Sequence, residues 1–152
     1  MANDLHGATG AGWVGFDLDG TLAVYRGWQG ERNIGEPIAP MVNLIRRLHK
    51  RGIEVKIVTA RVSPRDQPVL GYPNPYMAES LTIENPDKMP WALQTMWGAR
   101  EFIQEWCYRN LGFVPEITHE KDYRMLYLVD DRCVQVEPNT GRILGQLPPE
   151  MK

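Results

Sequence analysis

The sequence predicts an α/β fold, in which an open parallel sheet is flanked by helices and followed by a C-terminal β-hairpin. Residues 13–58 read as strand, helix and strand, which is the pattern of a βαβ unit with parallel strands. Two further strand-like stretches, at residues 115–119 and 125–129, follow a second helical segment. The turn signal Pro138-Asn-Thr-Gly141 between two short strand-like stretches predicts the hairpin.

Composition indicates an ordinary globular protein. The chain has 152 residues, of which 43% are hydrophobic and 24% charged, and its net charge is −2. We expect a flexible tail over residues 1–12 and a single domain over residues 13–152. The charge balance does not indicate a nucleic-acid or membrane surface. We find no transmembrane-length apolar run and no signal-peptide pattern, so we expect a cytoplasmic protein with Cys107 and Cys133 as buried free thiols.

The first βαβ unit has clear boundaries. Residues 13–18, which are apolar except for Gly15 and Asp17, predict a buried strand. Pro40 suits the first turn of a helix, and Gly52 suits its C-terminal cap. Between them an apolar face recurs at helical spacing, at Val42, Ile45 and Leu48. Residues 53–58 then predict the second strand.

Residues 62–90 are irregular, rich in proline and interspersed with aromatic residues. Long irregular segments inside compact domains are uncommon and often functional. Because this segment follows Arg61 directly, we expect it to form part of an active-site rim. The alternatives are packing on the side of the domain or an oligomer interface. A helix over residues 97–111 is predicted next, with Gly112 ending it.

Polar residues follow three of the predicted strands. Asp17 and Asp19 end the first strand and, being two apart, lie on the same side of the chain. Thr59-Ala-Arg61 ends the second strand, and Asp130-Asp131 ends the fourth. Because ligands bind outside the carboxyl ends of parallel strands, these residues predict one site at one edge of the sheet.

The chemistry of these residues indicates phosphoryl transfer. Several carboxylates without a His/Cys cluster suit a hard cation, most simply Mg²⁺. The Lys121 ammonium, a hydroxyl and backbone N–H groups suit phosphate oxygens. One carboxylate can act as a nucleophile, while its neighbour donates and accepts the proton.

Four motifs in order resemble those of the haloacid dehalogenase-like (HAD) superfamily of phosphohydrolases. Phe16-Asp-Leu-Asp-Gly-Thr-Leu22 resembles the first motif, DxDGT, and Val58-Thr-Ala-Arg61 resembles the second. Lys121-Asp122 resembles the third, and Leu126-Tyr-Leu-Val-Asp-Asp131 the fourth. The resemblance extends over residues 13–136. It implies a Rossmann-like sheet, and the short gaps between motifs imply that there is no separate cap domain.

The resemblance implies a role for each matched residue. Asp17 would be the nucleophile, and Asp19 the general acid/base with its backbone carbonyl on the metal. Thr59 and Lys121 would complete the catalytic set, with Lys88 as a rival for the lysine. The phosphate-binding residues would be Thr59, Ala60, Arg61 and Lys121, and the metal-binding residues Asp17, Asp19, Asp130 and Asp131.

The function predicted from the sequence is a Mg²⁺-dependent phosphatase that hydrolyses phosphomonoesters through an aspartyl-phosphate on Asp17. A phosphotransferase, a nucleotide or polynucleotide-end phosphatase and a non-hydrolytic phosphate-binding module remain alternatives. The expected partner is a phosphorylated small molecule or macromolecule end. Nucleic acid is expected only as a substrate, no membrane partner is expected, and a homo-oligomer remains open.

Overall fold

The computed structural model describes residues 12–63 and 91–152, with side chains from residue 98 onward in the second range. Its helices and strands, in chain order, are β1 (Trp13–Phe16), α1 (Ala39–Lys50), β2 (Glu54–Val58), α2 (Trp91–Leu111), β3 (Glu116–Thr118), β4 (Met125–Val129), β5 (Gln135–Val136) and β6 (Ile143–Leu144).

Four of these strands form one parallel sheet in the order β3-β2-β1-β4, and β5 and β6 form the antiparallel hairpin. The predicted α/β architecture with a parallel sheet and a C-terminal hairpin is therefore confirmed. Residues 64–90, which make up nearly all of the segment predicted as the rim, are not among the described residues. The same is true of residues 1–11, which make up most of the predicted tail. The division into one domain and a tail stays a prediction.

The core lies between the sheet and its two helices. α1 contributes the predicted face of Val42, Ile45 and Leu48, all buried. α2 contributes Ile103 and Cys107, both fully buried. The inward residues of the strands complete the same cluster, which includes Val14, Phe16, Val55, Ile57 and Ile117.

The chain order explains why both helices serve one face. The steps from β1 to β2 and from β2 to β3 move in the same direction across the sheet, so right-handed crossovers place both helices on the same side. The step from β3 to β4 reverses direction, which places residues 119–124 on the other side. Trp13 lies there, and its indole N–H donates to Asp122 Oδ1 over 2.9 Å.

Two expectations differ from the structure. α2 begins at Trp91, not near residue 97. Pro90 immediately precedes it, and a proline at a helix start costs no hydrogen bond. Cys107 is buried as expected, but Cys133 is exposed, because it lies in the turn after β4 and before β5.

A membrane-crossing helix is not found among the described residues: none of their helices combines the required length and apolar character.

Candidate functional site

The site lies where strand order reverses. β1 is paired with β2 on one side and with β4 on the other, and chain order changes direction between β1 and β4. Phe16 is opposite Val129, and the Asp17 N–H donates to the Val129 carbonyl over 2.9 Å. Asp17 therefore emerges beside Asp130, at the crevice where open parallel sheets bind ligands.

Three carboxylates meet at this point and are called here the carboxylate cluster. One oxygen from each of Asp17, Asp130 and Asp131 lies within 4.8 Å of the others. Asp17 and Asp130 are half-buried, whereas Asp131 is exposed. The structure thus brings together the side chains of three of the four predicted metal-binding residues. The fourth, Asp19, was expected to bind through its backbone carbonyl.

Thr21 links two members of the cluster. Its Oγ1 lies 3.3 Å from Asp17 Oδ2 and 3.2 Å from Asp131 Oδ1, and it accepts the Asp131 N–H over 3.1 Å. The single hydroxyl proton can be donated to one carboxylate at a time. Thr21 is 5% exposed, so its hydroxyl is a buried part of the site.

Gly20 makes room for Asp131. Its φ of +90° is one that L side chains rarely adopt, and a Cβ there would lie 2.5 Å from Asp131 Oδ2. The glycine and threonine of the first motif therefore have separate roles. Gly20 leaves space for Asp131, and Thr21 holds it by hydrogen bonds.

The cluster shifts the proton affinity of Asp17. Burial, the hydrogen bond with Asp131, and the negative charges of Asp130 and Asp131 raise its pKa to about 7. The backbone hydrogen bond from Leu18 opposes this shift. A carboxylate with such neighbours is more easily ionised when a cation lies among them.

The expectation that Asp17 and Asp19 lie on the same side of the chain is wrong, because β1 ends at Phe16 and strand alternation does not continue to Asp19. The Asp19 carboxylate binds Arg61 and is not part of the cluster. Arg61 Nε–H donates to Asp19 Oδ2 over 2.6 Å, and Nη2–H donates to Oδ1 over 2.8 Å. The Arg61 side chain is 4% exposed and that of Asp19 is 19% exposed. This is a two-point ion pair in a largely enclosed place, and it fixes the orientation of the Asp19 carboxylate.

The remaining donors of Arg61 bind the loop that follows β1. Nη2–H also donates to the Asn33 carbonyl over 2.9 Å, and Nη1–H donates to the carbonyls of Glu31, over 3.1 Å, and Gly30, over 3.5 Å. The guanidinium also lies 5.0 Å from the centre of the Trp28 ring. A guanidinium has five N–H donors, so the predicted phosphate contact of Arg61 would need one of these bonds to break.

Thr59 ends β2 next to this pair. It is 4% exposed, and its Oγ1 accepts the Arg61 N–H over 3.2 Å. It caps a single 3₁₀ turn, Ala60–Val62, and accepting that bond leaves its proton for another acceptor. Ala60 is exposed beside it.

Lys121 is exposed in the connection between β3 and β4. Burial and the negative charges of Asp130, Asp17 and Asp131 raise the pKa of the Cys133 thiol, and the positive charge of Lys121 opposes that rise. Lys121 therefore lies within electrostatic reach of a thiol that also senses the carboxylate cluster. The rival, Lys88, lies outside the described residues.

The donor set suits a hard divalent cation. The three gathered side chains offer carboxylate oxygens, and these are the ligands that Mg²⁺ takes in proteins. They are also mutually repulsive, as the raised pKa of Asp17 indicates. A cation among them would relieve this repulsion.

The loop over residues 23–37 adds a cavity that the motifs did not predict. A space of about 310 Å³ opens beside Asp19, between it and this loop. A larger space of about 580 Å³, lined by Arg46 and Phe113 among others, lies where α1 and α2 end. That space is at the opposite edge of the sheet, so we assign the candidate site to the edge with the carboxylates.

The resemblance implied only that Gly20 and Thr21 shape the turn that opens the site, and residues 23–37 were given no role. Thr21 could have been recognised from its position in the first motif, directly after the two aspartates. The loop carries a weaker signal, three glycines among aromatic and charged residues.

Comparison of the chain with known protein families, curated proteins and solved structures finds no match in any of the three.

Proposed function

We propose that this protein is a Mg²⁺-dependent phosphatase with a Rossmann-like fold of the HAD type. The observation that carries the proposal is the position of Asp17. It lies at the strand-order reversal, in a three-carboxylate cluster, with Thr59 at the end of the neighbouring strand. The arrangement supports a nucleophile, cation ligands and a phosphate-binding hydroxyl at one edge of the sheet.

Asp17 would attack the phosphorus of a phosphomonoester. A bond forms between Asp17 Oδ and phosphorus, the bond from phosphorus to the ester oxygen breaks, and Asp19 gives a proton to the departing alkoxide. For this step Asp19 must carry a proton and release Arg61, with which it is paired in the structure. Water then attacks the aspartyl-phosphate and gives its proton to Asp19. Phosphate leaves, and the Asp17 carboxylate is restored.

The other residues hold the phosphate and the charges. Thr59 Oγ1 and the Ala60 N–H would donate to phosphate oxygens, and Lys121 would neutralise their charge. Asp17, Asp130 and Asp131 would hold Mg²⁺. Bound there, the ion supplies charge neutralisation for both the carboxylates and the phosphoryl group.

The experiment is a phosphatase assay with Mg²⁺ on a panel of phosphomonoesters. Asp17→Asn removes the nucleophile and should lower kcat by about a thousandfold or more. Glu105→Gln, which changes an exposed carboxylate on α2, is the matched control and should retain full activity.

Two results would count against the proposal. Substantial turnover by Asp17→Asn would exclude covalent catalysis at that residue. Phosphate binding without turnover by the wild-type protein would favour the non-hydrolytic module. Transfer to an alcohol in place of water would identify a phosphotransferase with the same first step.

A further inference from the structure

The loop over residues 23–37 is an organised element closed at its base. The Val24 N–H donates to the Glu36 carbonyl over 2.9 Å. The Trp106 indole N–H of α2 donates to the Gly35 carbonyl, also over 2.9 Å. A Cβ on Gly35 would overlap the Val24 carbonyl oxygen, so the two arms touch. Compact loops whose ends meet in this way often carry function.

Arg61 fastens the tip of this loop to the catalytic edge. It reaches from the end of β2 to three carbonyls within residues 30–33, while its ion pair holds Asp19. Because the guanidinium is almost fully enclosed, its loss would leave a carboxylate and three carbonyls without their donor. Arg61 therefore ties the position of the loop to that of Asp19.

A second contact holds the loop from the other side. The Arg132 guanidinium, which follows β4, lies 6.0 Å from the centre of the Tyr25 ring. The Arg132 N–H donates to Asp130 Oδ1 over 2.8 Å. The loop is thus contacted by residues that follow β2 and β4, the two strands on either side of β1.

The cavity beneath the loop is small and polar. Its volume of about 310 Å³ is at the lower end for ligand sites. Its positive and negative groups are partly matched, since Arg26 pairs with Glu36 over 3.2 Å. The polar residues that line it are Asp19, Arg26, Gln29, Arg32, Asn33 and Glu36.

We propose that this cavity receives the leaving group of the substrate, that the group is hydroxyl-rich and about the size of one sugar ring, and that Arg61 is the positioning residue that keeps the cavity formed. The inference rests on the proposed phosphatase function, because Asp19 must meet the ester oxygen. Hydrogen-bonding side chains around a small space suit hydroxyl groups.

The test compares Arg61→Gln with Arg46→Gln, which changes an exposed arginine on α1. Glucose 6-phosphate is the sugar-sized probe and methyl phosphate the minimal one. We expect Arg61→Gln to raise KM for glucose 6-phosphate by about tenfold or more, with a much smaller change for methyl phosphate. Arg61→Lys should recover part of the difference, since it restores the charge but not the three carbonyl contacts. An unchanged ratio of the two KM values would overturn the inference.

Trypsin provides a readout that needs no activity. Cleavage after Arg26 and Arg32 should be several-fold faster in Arg61→Gln than in Arg46→Gln, because the loop tip is released. Equal cleavage rates would show that Arg61 does not hold the loop.

Binding separates this inference from the proposed function. Calorimetry on Asp17→Asn in the presence of Mg²⁺ compares the binding affinities of glucose 6-phosphate and methyl phosphate without turnover. Tighter binding of the sugar phosphate supports the cavity even if the wild-type protein proves inactive, and equal binding contradicts it. If Arg61→Gln fails to fold, Gln29→Trp fills the cavity instead. It should weaken the binding of glucose 6-phosphate but not that of methyl phosphate. Unchanged binding of glucose 6-phosphate would overturn the inference.

Discussion

Thr21 shows how single residues make the carboxylate cluster possible. Its hydroxyl lies between Asp17 and Asp131 and can be donated to either, while its oxygen accepts the Asp131 N–H. A valine would fill a similar volume but would leave these groups without that partner. The hydroxyl thus orders two like-charged side chains without adding a charge of its own.

Gly20→Ala tests whether Asp131 needs the space beside it. The new Cβ would lie 2.5 Å from Asp131 Oδ2, and the positive φ adds strain of about 1 kcal/mol. We expect stability to fall by about 1–3 kcal/mol and Mg²⁺ affinity to fall by about tenfold or more. Thermal unfolding and Mg²⁺ titration by calorimetry measure the two effects.

Gly141→Ala is the control for this substitution. Gly141 also has a positive φ, of +75°, but no heavy atom within 4 Å of its Cβ position. It should show the loss of stability from strain and keep normal Mg²⁺ affinity. Equal Mg²⁺ affinities in the two variants would show that Asp131 does not depend on Gly20.

At the scale of single residues, the sequence placed Asp17 with Asp130 and Asp131 correctly, but it also placed Asp19 beside Asp17, whereas Asp19 binds Arg61. Asp17 and Asp130 could be placed together because both follow strands of one parallel sheet. The position of Arg61 could not be predicted, because it depends on carbonyl groups of residues 30–33. Every residue has a backbone carbonyl, so the sequence does not show which carbonyls Arg61 binds.

Among the elements, α1 shows how packing sets the strength of the fold. Its apolar face is buried against the sheet, whereas Arg46 on the same helix is exposed. Most helical stability in proteins comes from such a buried face and not from helix propensity. The spacing of apolar residues was therefore a dependable guide to this helix.

Ile45→Ala measures that contribution. Ile45 is fully buried, and truncating such a side chain removes apolar contacts and leaves a cavity, which costs about 2–5 kcal/mol. Arg46→Ala, its neighbour, should change stability by no more than about 0.5 kcal/mol. Denaturant unfolding monitored by circular dichroism compares them, and similar losses would contradict the burial of Ile45.

Element boundaries were predicted less well where no apolar pattern marks them. The 23–37 loop is closed by backbone hydrogen bonds and by the indole of Trp106, which comes from a distant part of the chain. β4 was found because it is an apolar run, whereas β3 contains only one apolar residue, Ile117. The order of these strands in the sheet depends on a crossover that periodicity does not report.

For the whole molecule, the reversal of strand order concentrates negative charge at one edge of the sheet. In the folded protein the pKa of Asp17 is raised from 3.8 to about 7. Between about pH 4 and about pH 7, Asp17 therefore keeps its proton in the folded state and loses it in the unfolded state. The resulting stabilisation is fully present below about pH 4 and is lost as the pH rises to about 7.

We expect the Tm of the metal-free protein to fall by a few degrees between about pH 5 and about pH 8. Saturating Mg²⁺ should restore Tm at the upper end, because the ion binds the ionised cluster. Asp17→Asn should show a flatter profile. Calorimetric scans without and with Mg²⁺ measure all three.

Three carboxylates with lowered pKa values act outside this pH window. Hydrogen bonds from Arg26, Trp13 and Arg142 lower the pKa values of Glu36, Asp122 and Glu137, respectively. Their stabilisation is lost only as the pH falls through those lowered values, which is below the window of Asp17. A Tm that is constant from about pH 5 to about pH 8 would contradict the assigned environment of Asp17.

The sheet order also has a consequence for synthesis on the ribosome. β1 is made first and lies inside the sheet, yet its neighbour β4 comes only at Met125–Val129. Until then one side of β1 has backbone groups with no strand to pair with, and such an edge attracts other chains. A nascent chain thus carries Asp17 without Asp130 or Asp131. When β4 pairs with β1, it covers the open side of β1 and brings Asp130 and Asp131 to Asp17 in the same late step.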